Sequence, residues 1–454
     1  MQSLQGTADS CCATQTWLTD APSVRARISD PYTVELGPMS ETVCYVSQWY
    51  HPENVGVACW VPEQLERMGW DVTVLTGVPN YPTGVVPEGY RADRASREMI
   101  GPIEVRRTPL YPSHDGRALG RMLNISSWAL SSTLYGIGDI RRAGLAVVYS
   151  SPVTANLAPM VARLLFRTPY VTMIQDLWPD SVFASGFLTS GPLYRIANAV
   201  MGAFAKLSYR LSSHVTVLSP SMKQVLVDRG VPPEKISLVY NWVDESLFGA
   251  PVEPDPSLRG DLGLGESDFI ALYAGAHGTA QGLGVLVEAM AQIGADERIH
   301  MVTLGDGIDS ERLRGLAEEL GVTDRLHFLG RRPMAAMPGL LAAADLQLVC
   351  LTDTPLFRVN MPSKVPSLLA AGHPVLVVAA GDPADVVTGA GAGFAASPDD
   401  PGAVATALRE AKDAGAAALR AMGERGKALY ESEMAAAIGG ARLTEILRRA
   451  RDKG

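Results

Sequence analysis

From Thr42 onward, short apolar runs alternate with longer segments whose apolar positions recur every three or four residues. The runs in the first half are VCYVSQ, DVTVLTG, IEVRRTPL, AVVYSS, PYVTMIQD and HVTVLS. Their length and their β-branched residues are typical of buried strands. Strands that alternate with helices form parallel sheets covered on both faces. The pattern therefore predicts an α/β fold.

The same pattern restarts after a proline-rich break, APVEPDPSLRGD. The strands predicted beyond it are FIALYAG, HMVTLGDG, RLHFLG, LQLVCL and HPVLVVAA. Two Rossmann-like halves joined by a hinge imply parallel sheets that face each other across a cleft, with ligands at the carboxyl ends of the strands. The predicted organisation is a disordered tail (1–41), a first domain (42–247), a linker (248–257), a second domain (258–430) and a closing helix that packs back toward the first domain (431–454). We expect Ser432 to cap that helix, and Pro62 to interrupt the first helix of the chain.

One predicted helix has a single apolar face. Its apolar residues are Leu193, Ile196, Val200, Phe204, Leu207 and Leu211. This spacing predicts an amphipathic helix that packs into the core. The alternative is a helix that lies on a membrane surface.

The composition excludes wholesale disorder, since 47% of the 454 residues are apolar and 19% are charged. No uncharged apolar run is long enough for a membrane span.

Residues 1–38 show no periodicity and do not form a secretory signal, so translation starting at Met39 is a further hypothesis. Five cysteines at spacings that match no metal site favour a reduced, cytoplasmic protein.

The charge is unevenly spread along the chain. The formal net charge is −9, yet residues 42–220 carry 15 Lys and Arg against 12 Asp and Glu. Two of these arginines, Arg117 and Arg121, lie beside the apolar segment MLNISSWAL. A basic region in an acidic protein indicates an anionic partner there, such as a membrane surface. No nucleic-acid partner is expected.

Glycines follow two of the predicted strands. YAGAHGTAQGL puts Gly275, Gly278 and Gly282 between a strand and a helix, where backbone N–H groups can approach a phosphate. Gly56 stands at a helix start after the first strand, although a plain tight turn explains it equally well. LGDG, at Leu304–Gly307, is typical of an ordinary turn.

A cation and two carboxylates are the candidate catalytic groups. In MPSKVPSLLAAGHPV, Lys364 stands at a helix start, and Arg358 lies just upstream. A cation beside free helix N–H groups can stabilise a diphosphate leaving group, whereas an exposed lysine is the alternative. Asp176 and Asp180 follow a strand in VTMIQDLWPDS, where Asp180 could instead cap a helix. The absence of HExxH, GxSxG and DxD motifs disfavours zinc proteases, α/β-hydrolases and manganese-dependent transferases.

These motifs together resemble a known family. SQWYHPE…G, VLTGVPNYPTG, QDLWPDS, LSPSM, NWVD, YAGAHGTAQGL, LGDG and MPSKVPSLLAAGHPV, in this order, are similar to the retaining family-four glycosyltransferases of the colanic-acid and exopolysaccharide type. The resemblance covers the chain from Thr42 to its carboxyl end. It implies a GT-B fold, a nucleoside-diphosphate sugar donor that is usually UDP-linked, no metal or other cofactor, and a saccharide, polyprenyl-linked or small-molecule acceptor. A cytoplasmic enzyme, peripheral at the inner membrane face, is expected.

The resemblance also implies site residues. The donor would contact Gly275, Gly278, Gln281, Gly282, Gly305, Ser363, Lys364 and Ser367. The acceptor would contact Gly56, Gln175 and Asp180. Lys364 and Arg358 would stabilise the leaving diphosphate, and Asp176 would orient the acceptor or stabilise charge on the sugar.

The sequence departs from the family pattern at several of these positions. Val359 and Ser367 stand where the family carries two acidic residues in the second domain. Thr279 and Gln281 stand where its phosphate loop often carries basic residues. Gln175 stands where the first domain of the family commonly has a histidine. These departures leave two alternatives to a transferase, namely a non-catalytic binding partner and a sugar-nucleotide 2-epimerase, which needs no acceptor.

Overall fold

The apolar runs of the sequence form two separate sheets in this computed structural model, which describes residues 41–453 apart from 54, 114–117 and 182–191. The expectations about residues 1–40 of the tail, including Met39, and about Arg117 lie outside those residues. The strands are β1 (Glu41–Val46), β2 (Trp70–Gly77), β3 (Ser96–Ile100), β4 (Ile103–Thr108), β5 (Ala146–Ser150), β6 (Tyr170–Ile174), β7 (His214–Val217) and β8 (Ile236–Leu238) in the first sheet, and β9 (Phe269–Ala274), β10 (Ile299–Leu304), β11 (Leu326–Phe328), β12 (Leu346–Cys350), β13 (Val375–Val378) and β14 (Gly393–Ala396) in the second.

The helices connect these strands and cover both faces of each sheet. They are α1 (Val57–Arg67), α2 (Ala118–Ala143), α3 (Leu157–Phe166), α4 (Pro192–Leu211), α5 (Pro220–Asp228), α6 (Glu245–Phe248), α7 (Ser257–Asp261), α8 (Gly284–Ala291), α9 (Ser310–Glu319), α10 (Met337–Ala342), α11 (Pro355–Val359), α12 (Lys364–Ala370), α13 (Asp382–Gly389), α14 (Pro401–Leu429) and α15 (Ala436–Asp452).

The sheet orders are β3-β4-β2-β1-β5-β6-β7-β8 and β11-β10-β9-β12-β13-β14. All pairs of the second sheet are parallel, which confirms the predicted α/β class with two Rossmann-like sheets. The first sheet differs at its edge, where β3 pairs antiparallel with β4. β3 was not predicted, because its charged and half-exposed residues do not form an apolar run.

Two local expectations about helices are wrong. Pro62 lies inside α1 without ending it. Ser432 caps no helix, since its hydroxyl donates to Leu429 O, and α15 begins only at Ala436. The first N–H of α15 instead donates to the Glu245 carboxylate at 2.7 Å. A partner 191 residues away leaves no local sequence signal.

The closing helix lies against the first sheet. Leu443 and Leu447 of α15 are buried in the same cluster as Val43 of β1. The Trp70 indole N–H donates to Thr444 Oγ1 at 3.1 Å, and Arg448 pairs with a carboxylate at the start of β1. The chain therefore crosses back after completing the second sheet.

The expectation that the apolar face of α4 packs into the core is wrong for three of its residues. Ile196, Val200 and Leu207 are exposed, with 62%, 63% and 45% of their surface accessible. The buried side of α4 is formed by the smaller Ala205 and by Tyr209. Helical spacing identifies an apolar face but not the direction in which it points.

Candidate active site

A cavity of about 640 Å³ lies between the carboxyl ends of the two sheets. The first domain lines it with Gly56, Trp60, Tyr149, Asn241 and Trp242, among others. The second domain contributes Gly275, Gly305, Arg331, Ser363, Lys364 and Ser367, among others. This is the position at which open parallel sheets bind ligands.

The floor of the second-domain half is made of backbone. Gly275 follows β9 and Gly305 follows β10, with φ angles of 151° and 144°. A Cβ atom on Gly305 would lie 1.8 Å from the Gly275 carbonyl oxygen. Only glycine allows these two turns to touch, so each strand ends in a flat surface that a ligand can approach closely.

Lys364 is the cation at this surface. Its Nζ lies 3.7 Å from the centre of the Tyr273 ring, and a Cβ on Gly275 would lie 2.2 Å from the same atom. Burial lowers the Lys364 pKa to about 7. No carboxylate of the described residues forms an ion pair with it. The structure thus holds a desolvated ammonium group beside an open cavity, which is a site for an anion.

Three other predicted donor residues, Gly278, Gln281 and Gly282, do not line the cavity. Gln281 turns back on its own loop, where its Oε1 accepts the Gly278 N–H at 3.1 Å. Gly282, with φ 60°, faces Thr352. Near the cavity itself, Ser367 Oγ donates to the carbonyl of Ser363 at 2.9 Å. The loop after β9 therefore contributes its first glycine to the cavity and uses its later residues to hold its own shape.

Arg358 forms an ion pair with Asp353. Two guanidinium nitrogens each lie 2.6 Å from the Asp353 carboxylate, and the side chain is 57% exposed. Arg358 does not line the cavity. The structure gives this arginine a surface ion pair rather than a position at the leaving group.

The first-domain half holds polar groups that are paired with one another. Asn241 lines the cavity, and its side chain donates to Gln175 Oε1 at 2.7 Å. Asp176 accepts the Ser151 hydroxyl at 2.7 Å, and burial raises its pKa. Tyr149 lines the cavity, and burial raises its pKa, with a further rise from the Asp176 charge. Asp176 and Gln175 therefore stand one residue behind the cavity wall.

Asp180 lies elsewhere. Its carboxylate is 48% exposed and pairs with Arg229, just past the end of α5, at 2.7 Å. It does not line the cavity, so the structure does not bring this predicted acceptor residue together with Gly56. The partner is 49 residues away in the chain and could not be read from local spacing.

Sequence reasoning missed a buried carboxylate in the first domain. Glu53 is 5% exposed, and its Oε1 accepts the N–H groups of Asn80 and Tyr81, both at 2.7 Å. It thereby ties the loop after β1 to the loop after β2. Asn80 continues this network to Asn124 of α2. The sequence signal for Glu53 is its place at the end of SQWYHPE, in the loop after β1 that also contains Gly56.

His277 was also missed. It is 1% exposed, its Nδ1 lies 3.0 Å from Ser310 Oγ, and burial lowers its pKa. A Cβ on Gly307 would lie 2.3 Å from the His277 carbonyl oxygen. His277 thus joins the loop after β9 to the loop after β10. Its place inside YAGAHGTAQGL was the available signal.

Among the residues that the structure describes, no group of three His, Cys, Asp or Glu side chains could hold a metal ion. Within the same residues, no helix is both long and apolar enough to cross a membrane. Cys44, Cys59 and Cys350 are buried free thiols.

Two facing Rossmann-like sheets with an anion site at their shared cleft define the GT-B class of glycosyltransferases. Residues 57–242 match the family described as "Glycosyl transferase 4-like domain", and residues 255–429 match "Glycosyl transferases group 1". The putative colanic acid biosynthesis glycosyl transferase WcaI of Escherichia coli is 30% identical over 336 residues, which are 73% of this chain and 81% of the relative. The chain belongs to the family-four glycosyltransferases, and it is a transferase.

Other relatives agree with this assignment. The probable glycosyltransferase WbjE of Pseudomonas aeruginosa is 24% identical over 60% of this chain and 66% of its own. Among solved structures, Anabaena HepE in complex with UDP matches with a TM-score of 0.62 and 18% identity, covering 90% of this chain and all of its own. Sucrose-phosphate synthase from Thermosynechococcus elongatus matches with a TM-score of 0.67 and 18% identity, over 92% of this chain and all of its own. Both structures share the fold.

Proposed function

We propose that this protein transfers a sugar from a nucleoside diphosphate, with retention of anomeric configuration, to an acceptor hydroxyl in the cleft. The observation that carries the proposal is Lys364, a desolvated cation that faces the glycine floor of the cavity and has no carboxylate partner among the described residues. A diphosphate supplies the missing negative charge. As its bond to the sugar breaks, charge develops on the phosphate oxygen, and a fixed cation in a water-poor site stabilises that charge most effectively.

The proposed step is a front-face displacement. The bond between the anomeric carbon and the phosphate oxygen breaks, and its electron pair stays with the diphosphate. The acceptor oxygen forms the new bond on the same face, and its proton passes to the departing phosphate. Lys364 and the helix N-terminus it begins stabilise the leaving group, while Asp176 acts through Tyr149 and Ser151 on the acceptor side. We propose that the step proceeds without a metal, with the ammonium group and the helix N-terminus stabilising the charge that develops on the leaving oxygen.

The donor is proposed to be UDP-linked. Support comes from the fold shared with HepE, which was solved with UDP. Ser367 at the cavity donates its hydroxyl to the Ser363 carbonyl, and its oxygen can still accept a hydrogen bond from a ribose hydroxyl. The named role of the WcaI relative, colanic acid biosynthesis, favours a saccharide acceptor, either free or carried on a lipid. Buried free thiols are consistent with a cytoplasmic setting, and we propose peripheral contact with the inner face of the membrane.

Thermal unfolding with UDP, GDP, ADP and dTDP tests the donor site. A nucleotide at 100 times its dissociation constant stabilises the fold by about 2.7 kcal/mol, which raises the midpoint by several degrees. We expect the largest rise of the unfolding midpoint with UDP. In an activity assay, we expect UDP to be released from a UDP-sugar only when an acceptor is present. If none of the four nucleotides raises the midpoint, the proposal is contradicted. Conversion of the UDP-sugar without an acceptor points to the epimerase.

A further inference from the structure

The outer surface of the first domain carries an unusual concentration of exposed apolar side chains. Twelve of the twenty large apolar side chains that are exposed in the described residues lie on α2, α3 and α4. We call this surface the α2–α3–α4 face. Its apolar residues are Leu119, Met122, Leu123, Leu130, Leu134, Tyr135, Leu164, Leu165, Phe166, Ile196, Val200 and Leu207. Single exposed apolar residues are ordinary, whereas a cluster of this kind marks an interaction surface.

The three helices cover the same side of the first sheet. Trp128 of α2 and Ala158 of α3 are buried in one cluster with Val46 of β1, and Phe204 of α4 packs against that cluster. Because their inner sides share one core, their outer sides form one surface. The Arg141 guanidinium lies 4.8 Å from the centre of the Phe166 ring and joins the end of α2 to the end of α3.

The charges on this face are almost all positive. Its basic residues, including Arg167 directly after α3, are Arg121, Arg141, Arg142, Arg163, Arg167, Arg195, Lys206 and Arg210. The one acidic residue of the three helices is Asp139, which is 4% exposed and pairs with Arg97 and Arg142. A surface whose described helices carry apolar residues, several cations and no exposed carboxylate is complementary to an anionic lipid bilayer.

The face reaches the cleft at one end. Asn124, near the start of α2, accepts a hydrogen bond from Gln48, which follows β1 at the carboxyl edge of the sheet. Leu119, Met122 and Leu123 therefore lie at the edge on which the cavity opens. From there α2 extends about 39 Å along the domain, at 1.5 Å per residue over its 26 residues.

We propose that the α2–α3–α4 face docks on an anionic membrane surface, with the apolar side chains in the headgroup region and the cations against lipid phosphates. A second copy of this chain fits less well, because two such faces would bring their cations together without exposed carboxylates to pair them. The functional value of this docking rests on the proposed function, since docking would hold the acceptor half of the cleft next to a lipid-linked substrate. Its test needs no donor or acceptor.

Vesicle flotation with purified protein tests the docking. We expect binding to mixed phosphatidylglycerol–phosphatidylcholine vesicles and much weaker binding to phosphatidylcholine alone. Leu130→Gln/Leu134→Gln removes two apolar contacts. Lys206→Glu/Arg210→Glu reverses two charges, and at about fivefold per cation it should weaken binding to the mixed vesicles by at least 20-fold. All four side chains are exposed, so the fold should be retained.

Matched controls carry the same changes elsewhere. Ile308→Gln/Leu320→Gln replaces exposed apolar residues of the second domain, and Arg94→Glu/Arg420→Glu reverses exposed cations off the face. Both controls, and Lys364→Met, should bind vesicles as the unaltered protein does. Equal binding by the face variants, or no binding to the anionic vesicles, overturns the proposal.

Two further outcomes are distinguishable. If light scattering finds a dimer that Leu130→Gln/Leu134→Gln converts to a monomer, the face is a protein interface and the lipid proposal fails. If vesicles are bound as expected but no nucleotide raises the unfolding midpoint, the docking stands and the proposed transfer reaction fails.

Discussion

The two halves of the cleft are built on the same kind of strand end, but they differ in how their polar groups are satisfied. In the second domain, Lys364 has an aromatic ring for a neighbour and no carboxylate among the described residues. In the first domain, Asp176 is bonded to Ser151 and Gln175 to Asn241. The donor half is left electrostatically incomplete, whereas the polar groups of the acceptor half are hydrogen-bonded to one another.

This difference separates the tasks of the two halves. An incomplete charge in a partly desolvated site costs stability and is recovered only when an anion binds. Groups that are hydrogen-bonded to one another hold a fixed shape. The donor half is therefore suited to bind and stabilise a diphosphate, while the acceptor half offers Trp60, Tyr149 and Trp242 as a preformed wall. The following experiments test that division.

Lys364→Met should have the largest effect. Loss of one preorganised charge at a developing anion costs about 2–4 kcal/mol of transition-state stabilisation, or roughly 30- to 1,000-fold in kcat. Steady-state release of UDP measures it. Lys453→Met, which removes an exposed lysine at the far end of α15, is the control. Activity close to that of the unaltered protein would remove Lys364 from the mechanism.

The same substitution should stabilise the fold. The Lys364 pKa is about 7 in the fold against an ordinary 10.5, so the unfolded chain binds this proton more tightly. At and below pH 7 the burial penalty is fully present, and it declines as the pH rises from 7 toward 10.5. Lys364→Met should therefore unfold at a higher temperature at pH 7, and the difference should narrow toward pH 10. A lower midpoint at pH 7 contradicts this account of the pKa.

Gly305→Ala should impair the donor half through its backbone. The added methyl group would lie 1.8 Å from the Gly275 carbonyl oxygen, so the turns after β9 and β10 must separate. A displacement of about 1 Å at the phosphate floor can cost about 100-fold in turnover. Calorimetric titration with UDP should detect the weakened binding. Gly315→Ala in α9, whose Cβ would meet nothing within 4 Å, should bind UDP normally.

Asp176→Asn should affect the acceptor half alone. An amide oxygen can still accept the Ser151 hydroxyl, so the geometry is kept while the charge is removed. A hydrogen bond to a charged group contributes about 1.5–3 kcal/mol, which predicts a fall in kcat of roughly 10- to 100-fold with unchanged UDP affinity. Asp180→Asn, on the same loop but paired with Arg229, serves as the comparison and should leave kcat unaltered. Equal losses in the two variants would deny Asp176 its role.

The sequence predicted the fold where chemistry is repetitive. Runs of β-branched residues such as Val375–Val378 form buried parallel strands whatever their neighbours, so their pattern is sufficient. β3 and the outward face of α4 were not predictable in that way. At Val200, for instance, the spacing is correct for a core helix, and only the packing of Tyr209 on the other side decides which face is buried.

The site was predictable where the backbone dictates it. Gly275, Gly305 and Lys364 meet because strand ends converge at one edge of a sheet, a rule that the order of elements contains. Arg358 and Asp180 could not be assigned, because a nearby opposite charge decides whether such a side chain is available. For Asp180 that charge is Arg229, which only the tertiary fold brings close.

The pH dependence of UDP binding is the most specific test of the incomplete half. Free Lys364 loses its proton near pH 7, and a bound diphosphate raises its pKa. Between pH 7 and 9, binding must then be accompanied by proton uptake, so the dissociation constant should rise by up to about tenfold per pH unit. The nucleotide's own phosphate titrates near pH 6, below this range. Lys364→Arg keeps its charge throughout and should show a flat profile in titrations in buffers of different ionisation enthalpy. A flat profile in the unaltered protein would mean that its ammonium group is already paired before UDP arrives, and the contrast between the two halves would disappear.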